Sequence, residues 1–142
     1  MQKENFTYSF KSSKTAKEIF ELLLNIEQWW SGIYEETIIG KSRQLNDEFS
    51  FKAGGGVHDT TQKLVDLIPN SKIVWLVTNS KLTFLNNPNE WENTKIRFDL
   101  TQEEDKTIVT FTHDGLTPEI ECYTACSTGW TGYLDNLKKK LK

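Results

Sequence analysis

A long amphipathic helix placed after a run of strands constrains this chain more than any other feature. Beyond His113-Asp114-Gly115-Leu116 and a turn carrying Pro118, the spacing predicts a helix from about Glu119 to Leu141. Tyr123, Cys126, Trp130, Tyr133 with Leu134, Leu137 and Leu141 recur on one stripe of that helix. Such a stripe cannot face water, so the preceding strands must cover it. A helix gripped by a sheet tends to leave a cavity between the two.

The strands are legible by alternation. Glu4 to Lys11 places Phe6, Tyr8 and Phe10 on one face. Thr15-Ala16-Lys17-Glu18 then reads as a capping box that opens a helix to about Asn25. A second short turn carries Trp29 and Trp30. Further strands are expected at Glu36–Gly40, Glu48–Lys52, His58–Ile68, Lys72–Thr78, Thr94–Thr101 and Lys106–His113. Short polar turns between them imply an antiparallel meander. The expected fold is α+β. A curved antiparallel sheet of six to seven strands wraps the C-terminal helix, and two short helices follow the first strand.

Strand parity sorts side chains into inner and outer. Ile96, Phe98 and Leu100 share one face, Lys95, Arg97 and Asp99 the other. Val109 and Phe111 share a face with His113, which places His113 toward the mouth of the cavity if that face is concave. The parity of His58–Ile68 changes near Leu64-Val65, which predicts a bulge. Lys72–Thr78 is apolar on both parities, so one face of it meets another element or another subunit. A monomer or a weak dimer is expected.

Composition excludes several classes. The chain has 142 residues, the length of one domain, and needs no disulfide or metal to fold. Its net charge of −3 argues against a nucleic-acid partner. The basic run Lys138, Lys139, Lys140 and Lys142 suits a helix C-terminus. No segment approaches the ~20 apolar residues that insert into a membrane. Met1-Gln2-Lys3-Glu4-Asn5 lacks the apolar core of a signal peptide, so a cytoplasmic location is expected, with Asn5-Phe6-Thr7 unglycosylated and Cys122 and Cys126 reduced.

Several segments, in order along nearly the whole chain, carry a resemblance. They are Trp29-Trp30-Ser31, Ile39-Gly40-Lys41-Ser42, Asp47-Glu48-Phe49-Ser50-Phe51, Ile68-Pro69-Asn70-Ser71-Lys72-Ile73-Val74-Trp75 and Thr94 through Leu100. Val109 through Leu116, Glu121-Cys122-Tyr123, Cys126, Gly129-Trp130 and Tyr133 through Leu137 complete the set. In these the chain resembles the START-like, helix-grip superfamily (SRPBCC, Bet v allergen-like), and within it the family named after the activator of heat-shock protein 90 ATPase. Asn46 departs from the glycine common before Asp-Glu-Phe, but Asn tolerates a left-handed backbone. The resemblance implies a helix-grip fold with a hydrophobic cavity, and no single activity.

The candidate ligand-binding residues are Trp30, Phe51, His58, Trp75, Trp91, Phe98, Phe111, His113 and Trp130. Aromatic walls offer apolar area and, in Trp, an N–H to orient a ligand. The competing reading for each Trp is plain core packing. His113 is the best polar candidate, weighed against a ring tied to its own turn or to Asp114. His58 follows three glycines and is weaker. Cys122 and Cys126 match no zinc spacing, and a regular helix seldom lets an i, i+4 pair form a disulfide. Gly54-Gly55-Gly56 lacks the Lys-Ser/Thr of a phosphate loop and reads as a hairpin tip at the cavity rim. The carboxylates Asp114, Glu119 and Glu121 suit the N-terminus of the last helix. No metal and no cofactor are expected.

Three functions fit. The first is binding of a small apolar or amphipathic molecule, lipid- or polyketide-like, between helix and sheet. The second is a co-chaperone-like module with a chaperone partner. The third is a small cyclase or hydrolase with His113 as acid or base, ranked lowest because no second catalytic group accompanies it.

Overall fold

The computed structural model describes residues 5–142. Strand β1 spans Phe6–Ser12, and its expected first residue, Glu4, lies outside the described residues. Helices α1 (Ala16–Leu24) and α2 (Ile26–Trp29) follow. The Thr15 hydroxyl accepts from the Glu18 amide at 3.1 Å, so the cap forms as its residues dictate. Ile19, Phe20, Leu23 and Leu24 are buried from α1, and Ile26 and Trp29 from α2.

Six strands then meander: β2 (Thr37–Gly40), β3 (Glu48–Ala53), β4 (His58–Ile68), β5 (Lys72–Leu82), β6 (Lys95–Glu103) and β7 (Lys106–Asp114). β1 pairs with β7, giving one antiparallel sheet in the order β1-β7-β6-β5-β4-β3-β2. The α1–α2 pair carries the chain from one edge strand to the other. The sheet curls around α3 (Tyr123–Lys140), whose Cys126, Trp130, Tyr133, Leu134 and Leu137 are buried. This is the seven-stranded helix-grip arrangement the alternation predicts.

The bulge is present. Register shifts fall between Thr61 and Gln62 and between Leu64 and Asp66. Asn46 takes φ +75°, the left-handed turn its side chain tolerates.

Two element boundaries differ from expectation by more than two residues. β5 runs four residues past Thr78, because Asn79, Ser80 and Leu82 pair with Thr61, Thr60 and His58 of β4. That long-range pairing overrides the weak polar pattern of Asn79-Ser80-Lys81. α3 starts at Tyr123 rather than Glu119, because residues 117–123 form tight turns (Ile120 N to Thr117 O 3.1 Å, Tyr123 N to Ile120 O 3.2 Å). Cys122 is therefore the cap residue, and its carbonyl accepts the Cys126 amide at 2.8 Å. The Cα atoms of Cys122 and Cys126 lie 5.5 Å apart, which places both side chains on one side of the first turn.

Val74, on the outer face of β5, is buried between Asp66 and Arg97 of the neighbouring strands. Those flanking side chains account for part of the two-sided apolar pattern of this strand.

Candidate functional site

A cavity of about 210 Å3 lies between the first turns of α3 and the tip of the β3–β4 hairpin. Its floor is aromatic. Trp30 stacks on Phe51 with ring centroids 4.2 Å apart, and Trp130 lies 4.8 Å from Trp30. Trp91, from the β5–β6 loop, stacks parallel to Trp130 at 5.9 Å and meets the edge of His58 at 4.8 Å. The mouth is rimmed by Tyr34, Val57 and Phe84, which are 45%, 43% and 46% exposed, so the cavity opens to solvent through an apolar collar. Gly54 of the triple glycine also borders it, as the hairpin-tip reading anticipates. On α3, Gly129 faces the cavity, and a Cβ placed there would meet nothing within 4 Å.

His113 lies behind this wall, not at its mouth. It is fully buried and does not border the cavity. The Trp130 indole donates to His113 Nδ1 at 3.0 Å, so Nδ1 must be the acceptor and Nε2 carries the proton. Nε2 then donates to the Thr94 hydroxyl at 2.9 Å, and Thr94 donates to the Trp91 carbonyl at 2.6 Å. One directional chain thus links α3 to the loop that holds Trp91. Burial, and then the nearby His58, push the His113 pKa down to about 3, so the ring stays neutral. Both ring nitrogens are engaged, which leaves His113 neither lone pair nor proton for a substrate. Its expected place at the mouth is corrected. Parity put the side chain inside, but the depth came from its position beneath Trp91 and Trp130. Gly115 (φ +110°) supports the same corner, since a Cβ there would come within 2.5 Å of Thr94 Cγ2.

Carboxylates hold the loops around the cavity. Glu90 accepts from the amides of Glu121 (2.9 Å) and Cys122 (2.8 Å), and so caps the approach to α3 from the β5–β6 loop. Glu121 reaches the other way, to the amides of Asn86 and Asn87 at 3.0 to 3.3 Å. Asp114 binds Asn5 Nδ2 at 3.1 Å and pairs with Arg97 at 3.6 Å. Asp114 and Glu121 thus serve loop and strand contacts in addition to the helix charge expected of them. Glu36 accepts from the amides of Gly32, Ile33 and Tyr34 and from the Tyr133 hydroxyl at 2.6 Å. Desolvation raises the Glu36 pKa, but those hydrogen bonds outweigh it and hold the carboxyl below its ordinary value. The Tyr133 phenol is pushed up, by burial and then by this bond.

Of the residues expected at the site, Trp30, Phe51, His58, Trp91 and Trp130 come together around the cavity. Trp75, Phe98, Phe111 and His113 do not border it. Trp75 is fully buried with its indole donating to Ser42 at 2.8 Å, and Phe98 and Phe111 pack on each other at 5.1 Å. For these the core-packing reading holds. Sequence reasoning missed the collar of Tyr34, Val57 and Phe84, which lies in turns without periodicity. It also passed over the role of Gly129, although a glycine inside a helix costs about 1 kcal/mol and so asks for a reason.

The sequence profile of the family described as Activator of Hsp90 ATPase homolog 1-like protein matches residues 15–142, and the chain belongs to that family. Among solved structures it is similar to the Aha1 dimer from Colwellia psychrerythraea, with 26% identity and a TM-score of 0.75 over 97% of this chain and 96% of that one. A protein from Nitrosospira multiformis (12% identity, TM-score 0.74, 98% and 97% covered) shares the fold. So does one from Chromobacterium violaceum (14%, 0.71, 95% and 96%). No curated protein matches the chain. No helix among the described residues is long and apolar enough to cross a membrane.

Proposed function

We propose that the chain encloses a small apolar molecule between α3 and the β3–β4 hairpin. The observation that supports this reading is the open, aromatic-floored cavity of about 210 Å3. A cavity of ~150 Å3 lined by apolar side chains is known to take up benzene, so this one suits a single ring or a short chain. A lipid or polyketide skeleton is too large to be enclosed whole, and would leave most of its length across the collar of Tyr34, Val57 and Phe84. Burying ~120 Å2 of ligand surface at ~25 cal/mol per Å2 gives about 3 kcal/mol, a dissociation constant on the order of millimolar. Titrating toluene and a long-chain lipid against intrinsic Trp fluorescence tests the reading. Saturable quenching by toluene is expected, and its absence for every apolar ligand would remove the proposal.

A second reading is a co-chaperone-like interaction module. It is favoured by family membership and by the exposed apolar collar, a surface suited to a protein partner. Self-association belongs to the same reading, since the relative from Colwellia psychrerythraea is a dimer. An Hsp90-type chaperone pull-down with an ATPase assay decides: no binding and no rate change dispose of it.

A further inference from the structure

Two polar atoms beside this cavity have no partner. Trp91 Nε1 and His58 Nδ1 are buried, and neither has a hydrogen bond among the described residues. Three other indoles are satisfied: Trp29 donates to the Leu23 carbonyl (2.9 Å), Trp75 to Ser42 (2.8 Å) and Trp130 to His113 (3.0 Å). Gln62 Oε1 and Ser127 Oγ are also buried and unpaired, but their residues do not border the cavity. Buried polar atoms are almost always hydrogen-bonded, so an orphaned pair on one cavity wall points to a missing partner. The two rings meet edge to face with centroids 4.8 Å apart, which brings the two residues together on one wall of the cavity.

The chemistry of that partner follows from the two atoms. An indole N–H only donates. A neutral imidazole offers one donor and one acceptor nitrogen. A hydroxyl serves both at once: its oxygen accepts from Trp91 and its proton goes to the His58 lone pair. A carbonyl would answer Trp91 alone, and an ammonium would leave Trp91 unpaired. A carboxylate would lose its hydration in a cavity whose lining holds no Lys or Arg. Burial brings the His58 pKa down to about 4, outweighing the opposing pull of its own backbone and of Asp59, so the ring is neutral at pH 7.

We propose that His58 and Trp91 form the polar pole of the cavity and select small, neutral ring molecules that carry a hydroxyl group. The inference rests on the small-ligand reading above and names the ligand class of the same site.

Phenol and toluene have nearly the same shape and differ in the hydroxyl. Binding of each is measured by calorimetry and by the shifts of the five indole N–H signals, with the Trp91 signal assigned as the one lost in Trp91→Phe. Phenol is expected to bind about ten-fold more tightly than toluene, the gain of one satisfied hydrogen-bonding group. The Trp91 indole proton should move downfield with phenol and not with toluene. The preference should collapse toward one in Trp91→Phe and in His58→Phe, and benzoate should bind more weakly than phenol. Equal binding of phenol and toluene, with the Trp91 proton unmoved, would overturn the inference and leave small-ligand binding standing: the pole would then be satisfied by water. Failure of both to bind would overturn both readings.

Discussion

His113 shows how one side chain can be indispensable without being reactive. Its two nitrogens join the Trp130 indole to the Thr94 hydroxyl, and through it to the Trp91 carbonyl. Replacing it with Leu strands the buried Trp130 indole N–H and takes from Thr94 one of its two hydrogen bonds, at about 1–3 kcal/mol each. His113→Leu should therefore destabilise the fold by about 2–5 kcal/mol in chemical denaturation. His113→Gln, which offers an acceptor and a donor, should cost less. The same burial makes the protein acid-sensitive. His58 and His113 have folded-state pKa values depressed to about 4 and about 3. Below about pH 6.5 the unfolded chain takes up protons that the folded chain refuses, so stability falls with pH. The loss approaches about 1.4 kcal/mol per pH unit for each histidine between the unfolded and folded values. Denaturation midpoints from pH 7 to pH 4 should show this slope, and His113→Gln should make it shallower. An unchanged slope in the variant would contradict a buried neutral ring. Strand alternation was enough to place His113 indoors. Its tautomer and depth depend on Trp91, Thr94 and Trp130, which lie 17 to 22 residues away along the chain, and alternation carries no such information.

Among elements, the loop from β5 to β6 does the most to shape the site. It sits against the free edge of β5, where Val77 N bonds Thr94 O and Asn93 N bonds Val77 O, each at 2.9 Å. It is tied to the approach to α3 by the exchange of carboxylates between Glu90 and Glu121. Glu90→Ala frees the amides of Glu121 and Cys122, the loss of a cap worth about 1 kcal/mol. We expect faster amide exchange at residues 121–123 and loosened Trp91 indole packing, with core strands β6 and β7 unaffected; uniform destabilisation would contradict a local role. The strands themselves were legible because one side of each is apolar and the other polar. The loop was not, since Trp91 sits in a polar segment with no period. The start of α3 was misread for a related reason: Glu119 and Glu121 look like helix-N-terminal carboxylates, while Glu121 spends its charge on loop amides.

For the molecule as a whole, the C-terminal stripe announced a helix in need of a cover, and the seven-stranded sheet provides one. That much follows from periodicity alone. The cavity does not, because it arises where packing stops short. Trp75, Phe98 and Phe111 are fully buried away from the cavity, while Trp30, Phe51 and Trp130 leave space beside Gly129. A residue's type says whether it is buried, and the neighbours on other elements decide whether it meets protein or void. The central claim is that this space is a binding site. Gly129→Leu would fill it from α3 without backbone conflict, since nothing lies within 4 Å of a Cβ there, and should raise helix propensity by about 1 kcal/mol. The direct test is to titrate toluene into the wild-type protein and Gly129→Leu while following the Trp indole N–H signals. The account predicts saturable shifts at Trp30 and Trp130, which floor the cavity, in the wild type and none in a folded, equally or more stable Gly129→Leu. Shifts that persist in the variant, or that never appear in the wild type, would contradict it.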